Sequence, residues 1–197
     1  MPLSVEELGR HPDSWADMRR IIVVEYDPAW PATFDDLRAR VWTVVGDLAL
    51  AIEHMGSTAV PGLAAKPIID MTVVVPSGAD VPQAIEQLAA LGYVHRGNLG
   101  IEGREVFSSL LDLPAHHLYV CPAGSLGLLN PLAVRDYLRT HPEVARAYGE
   151  LKKSLAAEFP HDIDSYVSGK TDFILSILRE VGFASDQLEA IERMNRK

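Results

Sequence analysis

The sequence predicts an α+β fold, with a mixed αβ part up to about residue 125 and a helical part after it. Three observations predict it. Short β-branched runs alternate with amphipathic helical stretches as far as Cys121, and from Asn130 onward the pattern is helical only. The stretch 67–75 is apolar without alternation apart from Asp70 and Thr72, as a strand buried on both faces requires. Finally, 197 residues that are 48% hydrophobic and 23% charged suffice for one well-filled core.

The elements follow in order. Residues 1–20 form an N-terminal arm around Trp15, and 21–197 a single domain with an αβ part (21–125) and a helical part (126–197). Residues 21–26 are a β-branched run ending at Asp27-Pro28, a strand followed by a turn. Pro31 opens a helix to about residue 50, with Phe34, Leu37, Val41, Val44, Val45 and Leu48 as its apolar stripe. A strand at 51–55, a loop at 56–66 and a strand at 67–75 come next. Residues 81–91 form a helix capped by Asp80, and 92–94 a short strand. The glycines at 97, 100 and 103 mark a connection that reads as a mobile lid. Residues 104–111 and 117–121 are neighbouring strands of a hairpin around Pro114. Asn130-Pro131 reads as an N-cap with proline at the first helical position, and Thr140-His141-Pro142-Glu143 as a capping box. Helices at about 163–181 and 185–194 complete the chain.

The formal charge of −9, from 27 acidic and 18 basic residues, disfavours binding along a nucleic-acid backbone. Cys121 is the only cysteine, which excludes an internal disulfide and a multi-cysteine metal site and fits a reducing cytosol. The first twenty residues are too charged for a secretory signal, and no apolar run approaches the ~20 residues that span a bilayer. A cytoplasmic protein without a membrane partner is expected.

The chemistry concentrates between His54 and Val75. In the loop, Gly56 lets backbone approach a ligand closely, Ser57 and Thr58 supply hydroxyl donors, and successive N–H groups can cradle phosphate oxygens. A short helix at 60–65 would add a positive end, and Lys66 a formal charge. Asp70 interrupts an otherwise apolar strand. An unpaired buried carboxylate costs several kcal/mol, so Asp70 requires backbone donors, an arginine or a metal. Alternation sets Asp70 and Thr72 on one face, with Ile69 and Met71 on the other. Mg²⁺ suits such a place, because that ion is held by one or two carboxylates plus substrate phosphates.

The stretch Glu53-His54-Met55-Gly56-Ser57-Thr58-Ala59-Val60-Pro61-Gly62-Leu63-Ala64-Ala65-Lys66-Pro67-Ile68-Ile69-Asp70 resembles the hallmark of the GrpB family, small bacterial proteins classed with nucleotidyltransferases. Tyr26-Asp27-Pro28-Ala29-Trp30-Pro31, His117-Leu118-Tyr119-Val120, Arg135-Asp136-Tyr137-Leu138-Arg139 and Lys170-Thr171-Asp172-Phe173-Ile174 match its other landmarks. The resemblance implies a nucleotidyltransferase-like mixed β-sheet flanked by helices. It implies a Gly-Ser loop that holds the triphosphate, metal-binding carboxylates on the next strand, and a nucleoside triphosphate with Mg²⁺ or Mn²⁺. The activity implied is nucleotidyl transfer to a small-molecule or protein acceptor; the alternative is a degenerate module that binds a nucleotide or phosphate ligand. Two positions depart from the pattern. Thr72 stands where catalytic members carry a second acid, and Tyr119 where the family more often has histidine.

The strand face shared by His117, Tyr119 and Cys121 makes His117 a metal ligand or proton carrier beside Asp70, or a hydrogen-bonded strand histidine. Glu105 or Asp112 is the candidate third acid. Arg104 suits phosphate through its planar fork, or pairs with Glu102 or Glu105. Ser168-Gly169-Lys170-Thr171 imitates the end of a P-loop but lacks its first glycine and a preceding strand, which leaves Lys170 as a separate basic candidate. Arg135 and Tyr137 read as packing between the two parts.

Overall fold

The computed structural model describes residues 20–196. The arm expected at 1–20 therefore lies outside the described residues, apart from Arg20.

Four strands make one mixed sheet in the order β1-β2-β4-β3, with β1 Ala51–Met55, β2 Ile69–Val75, β3 Glu105–Phe107 and β4 His116–Pro122. β1 runs antiparallel to β2, β2 parallel to β4, and β3 antiparallel to β4. A parallel pair needs a long crossover, here the forty residues that carry one helix and β3. β2 lies in the interior of the sheet, and every residue from Met71 to Val75 is buried, as its unbroken apolar run predicts.

Helices α1 (Trp30–Val45) and α2 (Val81–Ala89) cover one sheet face. Trp30, Phe34, Leu37, Val41 and Val45 pack there against Met71, Val73, Leu118 and Val120. Against the other face, α3 (Leu126–Thr140) sets Leu128 on Met55, Val74 and Cys121. Helices α4 (Pro142–Glu158), α5 (Ile163–Glu180) and α6 (Ser185–Asn195) build further cores around Tyr148, Tyr166 and Leu178. Val60 and Leu63, from the loop after β1, belong to one of these helical clusters. The loop is therefore clamped between the sheet and the helical part. Among the described residues, no helix is long and apolar enough to cross a membrane.

Several boundaries differ from the sequence expectation. Residues 21–26 form no strand: Val24 makes one bridge to Ala65, with backbone bonds of 2.8 and 2.9 Å. Pro67 has no N–H with which to continue that ladder. α1 stops at Val45 because Gly46 and Asp47, poor helix formers, follow it. In place of a helix at 60–65 there is a 3₁₀ turn over Ser57–Ala59, since Pro61 holds Val60 extended and Gly62 takes φ +78°. Asp80 is the N-cap of α2 as expected but makes no side-chain bond to that helix. Its carboxylate accepts from the Ser77 backbone while Ser77 Oγ accepts from Ala79 N–H, a capping box on the 3₁₀ turn Gly78–Asp80 just before it. Residues 92–94 pair with no strand; His95 alone bridges to Phe107.

α3 begins at Leu126, so Asn130 is no cap and Pro131 lies inside the helix. The capping box at Thr140 does not form either. Thr140 still belongs to α3, and its hydroxyl donates back to the Asp136 and Tyr137 carbonyls. Ser168–Thr171 lies within α5, as the rejection of a P-loop requires.

Candidate functional site

The register Met55↔Asp70 brings the residue after β1, Gly56, against the Asp70 carboxylate. Gly56 has φ +66° and ψ −166°, a region open essentially to glycine alone. A Cβ there would lie 2.3 Å from Asp70 Oδ2. Glycine is thus required twice, by the turn and by the carboxylate.

Asp70 pairs across the parallel strands with His117, whose Nδ1–H donates to Oδ1 at 2.9 Å. Both side chains remain about one-third exposed, 30% for Asp70 and 36% for His117. Burial pushes the Asp70 carboxyl up. The His117 hydrogen bond, with the charges of His117, Lys66 and Lys170, outweighs that and holds it below its usual range. Asp70 is an ionised carboxylate with one oxygen engaged and the other facing the loop.

On the helical side, Lys152 of α4 is 2% exposed, donates to Ser57 Oγ at 2.7 Å and to the Ala64 carbonyl, and lies 4.7 Å from the Tyr148 ring centroid. Burial, reinforced by the charges of Lys170 and Lys66, lowers its pKa to about 7 against the pull of Asp70. Lys170 of α5 is lowered to about 8 by burial and by Lys66, again opposed by Asp70. Lys66 and Lys170 share the ring of Tyr166, at 6.0 and 4.4 Å from its centroid. Three amines therefore lie within electrostatic reach of one another, Lys152 being the one bonded to Ser57, and Asp70 is the only acid among the described residues that acts appreciably on Lys152 or Lys170.

Below the loop, Thr58 is 1% exposed and shares a hydrogen bond of 3.0 Å with His54 Nε2. Phe34 stacks on the His54 ring, and burial lowers His54 to about 4, so it is neutral near pH 7. The Thr58 hydroxyl is directed to this inner bond. Arg135 donates to Glu53 Oε2 at 2.6 Å and to the His54 carbonyl at 3.0 Å, and Arg139 Nε donates to the Ala59 carbonyl at 2.9 Å. These arginines tie α3 to β1 and the loop.

The structure thus gathers Gly56, Ser57, Lys66, Asp70, His117 and Lys170, and places Thr58 underneath. It does not bring Arg104 to the loop. The Arg104 guanidinium lies 5.0 Å from the Tyr119 ring, further along the same sheet face, with Nε buried and without a partner among the described residues. Glu105 pairs in register with Val120, on the face opposite His117, and bonds His95 at 2.6 Å; Asp112 is an exposed turn residue. Neither supplies a third acid. Thr72 is 3% exposed, and no group of three His, Cys, Asp or Glu residues among those described is placed to hold a metal. The donor set does not fit a resident metal centre. Sequence reading missed Lys152. Its signal was a lysine on the apolar stripe of α4, spaced with Tyr148, Leu151, Leu155 and Ala156.

A family model described as GrpB protein matches residues 20–180. The UPF0157 protein YqkA of Bacillus subtilis is 40% identical over 156 residues, 79% of this chain but only 46% of that protein. The glutamate-rich protein GrpB of Alkalihalophilus pseudofirmus is 36% identical, over 82% of this chain and 95% of its own length. The crystal structure of the conserved protein GrpB from Enterococcus faecalis aligns with a TM-score of 0.71 and 35% identity, covering 88% of this chain and 99% of that one. A distant alignment, with a TM-score of 0.44 and 11% identity over 66% of this chain, is to Cid1 poly(U) polymerase. Hallmark loop, matched model and shared fold agree: the chain belongs to the GrpB family.

Proposed function

We propose that the Gly56-Ser57 loop, Asp70 and the three lysines bind the phosphate chain of a nucleoside triphosphate. On this reading the protein transfers a nucleotidyl group to a small-molecule or protein acceptor. The cluster of Lys66, Lys152 and Lys170, with Lys152 bonded to Ser57, in a chain of net charge −9, carries the proposal. A polyphosphate supplies the negative charge that one carboxylate does not. Ser57 and the loop amides would hold phosphate oxygens, while the lysines neutralise charge at the reacting phosphorus. In-line attack then depends mainly on positioning.

Mg²⁺ belongs to this scheme only as part of the substrate, since the carboxylate oxygen set against the Gly56 turn is Asp70 Oδ2 and no group of three His, Cys, Asp or Glu among the described residues is placed to hold a metal. Thr72 favours a second reading, in which the site binds nucleotide without turnover. Calorimetric titration with ATP, GTP, CTP and UTP, with and without Mg²⁺ or Mn²⁺, tests both. Saturable binding is expected, weakened by Lys170→Met; in Asp70→Asn the part of the affinity that depends on metal disappears. No binding of any nucleotide would refute both readings. Pyrophosphate release in the presence of acceptors separates transfer from binding alone.

A further inference from the structure

The contact between Lys152 and Ser57 does more than a phosphate clamp requires. Lys66 and Lys170 lean on the Tyr166 ring at partial exposure, whereas Lys152 is fully enclosed and its amine touches the hydroxyl itself. Three groups surround Nζ: the Ser57 hydroxyl, the Ala64 carbonyl and the face of Tyr148. An ammonium has three N–H donors, and all three neighbours accept. A neutral amine has two N–H donors and a lone pair, and the same shell serves it equally. Ala64 and Tyr148 take the donors, and Ser57 turns its O–H toward the lone pair. The surroundings therefore suit both protonation states without rearrangement, as a proton carrier needs. Ser57 starts the 3₁₀ turn behind Gly56, where Asp70 and the packing of Val60 and Leu63 fix the backbone.

We propose that Ser57 and Lys152 form a nucleophile–base dyad in which Ser57 takes a phosphorus group covalently. The electrophile is a phosphoanhydride held by Lys66 and Lys170, and in that respect the inference rests on the function proposed above. Ser57 Oγ attacks a phosphorus atom of the bound triphosphate and forms an Oγ–P ester. The bond from that phosphorus to the bridging oxygen breaks, and its electron pair leaves with pyrophosphate or with the nucleoside diphosphate. The serine proton passes to Lys152 Nζ. The Lys152 pKa of about 7 fits a base at neutral pH, set by burial and by the charges of Lys170, Lys66 and Asp70 around it.

Two measurements test the dyad, one of them independent of nucleotide. A neutral fluorophosphonate probe reacts with an activated serine by forming the same Oγ–P bond and expelling fluoride. Peptide mass spectrometry is expected to find the label on Ser57, with a rate that rises as pH passes through about 7. Ser57→Ala abolishes it, and Lys152→Met slows it by about 100-fold or more, the usual scale of a general base. Lys152→Arg keeps a cation but no titrating amine, so it should be equally slow. It is the control should Lys152→Met melt early. Incubation with ATP should then add to Ser57 the mass of a nucleoside monophosphate or of a single phosphoryl group, which also identifies the phosphorus attacked. An unlabelled Ser57, or labelling indifferent to both Lys152 variants, overturns the dyad. Labelling by the probe together with calorimetric silence toward every nucleotide keeps the dyad and removes the triphosphate as its electrophile. Nucleotide binding without covalent product in either assay keeps the site and removes the dyad.

Discussion

At the scale of the residue, Gly56 carries the most demanding constraint in the site. Its φ of +66° with ψ of −166° costs a residue bearing a side chain on the order of 1–3 kcal/mol, before any contact is considered. The contact adds to this, because a methyl group would enter the van der Waals shell of Asp70 Oδ2. Asp70 has nowhere inexpensive to go, since its other oxygen holds His117. Gly56→Ala is therefore expected to lower the unfolding free energy by about 1–3 kcal/mol in a denaturant titration and to weaken nucleotide binding more than Thr58→Ala does. An unchanged denaturation midpoint would contradict this account. Thr58 is the useful comparison, because its hydroxyl bonds His54 beneath the loop.

At the scale of the element, the loop is held by α3 from one side and by α4 and α5 from the other. Arg135 spans 82 positions to reach Glu53 and is nearly buried, with 9% side-chain exposure. Removing a hydrogen bond to a charged group costs about 1.5–3 kcal/mol. Glu53 is a third exposed and keeps partial hydration, so Arg135→Met should fall toward the lower end of that range in thermal or chemical unfolding. A neutral effect would mean that α3 is fixed by apolar packing alone.

The same scale explains what the sequence made legible. β1 and the core of β2 were readable because their periodicity is local, and Gly56, Ser57 and Asp70 because they lie on one short segment. The start of α3 was not, since Asn130-Pro131 carries a local start signal and Ser125, five residues earlier, makes no side-chain cap bond. Lys152 was not, because its partner Ser57 lies 95 positions away and only its place on the apolar stripe of α4 separates it from the half-buried Lys153, which pairs with Glu25. The face of Glu105 followed from alternation, but its separation from Asp70 needed the β3–β4 register.

At the scale of the whole molecule, long-range and local electrostatics oppose each other. A net charge of −9 repels polyanions at a distance, while the junction of sheet and helices collects three amines around a single carboxylate. Burial resolves part of this by discharging the amines, Lys152 near 7 and Lys170 near 8. A phosphate chain reverses that at Lys170, which holds it, because each negative oxygen favours the ammonium form and raises the Lys170 pKa toward its ordinary 10.5. Lys152 faces the Ser57 hydroxyl and keeps the amine that takes the serine proton. Binding must then take up protons wherever the free site has lost them and the bound site has not. The sign follows: affinity is full below pH 8 and falls as pH rises through 8, by roughly tenfold per pH unit for the proton taken up at Lys170. Calorimetry of ATP binding in two buffers of different ionisation enthalpy measures that uptake directly at pH 8. A heat independent of buffer, with a flat affinity between pH 6.5 and 9, would place the phosphates away from Lys170. The repulsion sets a second expectation for the same experiment. A single-stranded RNA oligonucleotide, whose charge extends beyond the three amines into the acidic surround, should fail to displace ATP at physiological salt.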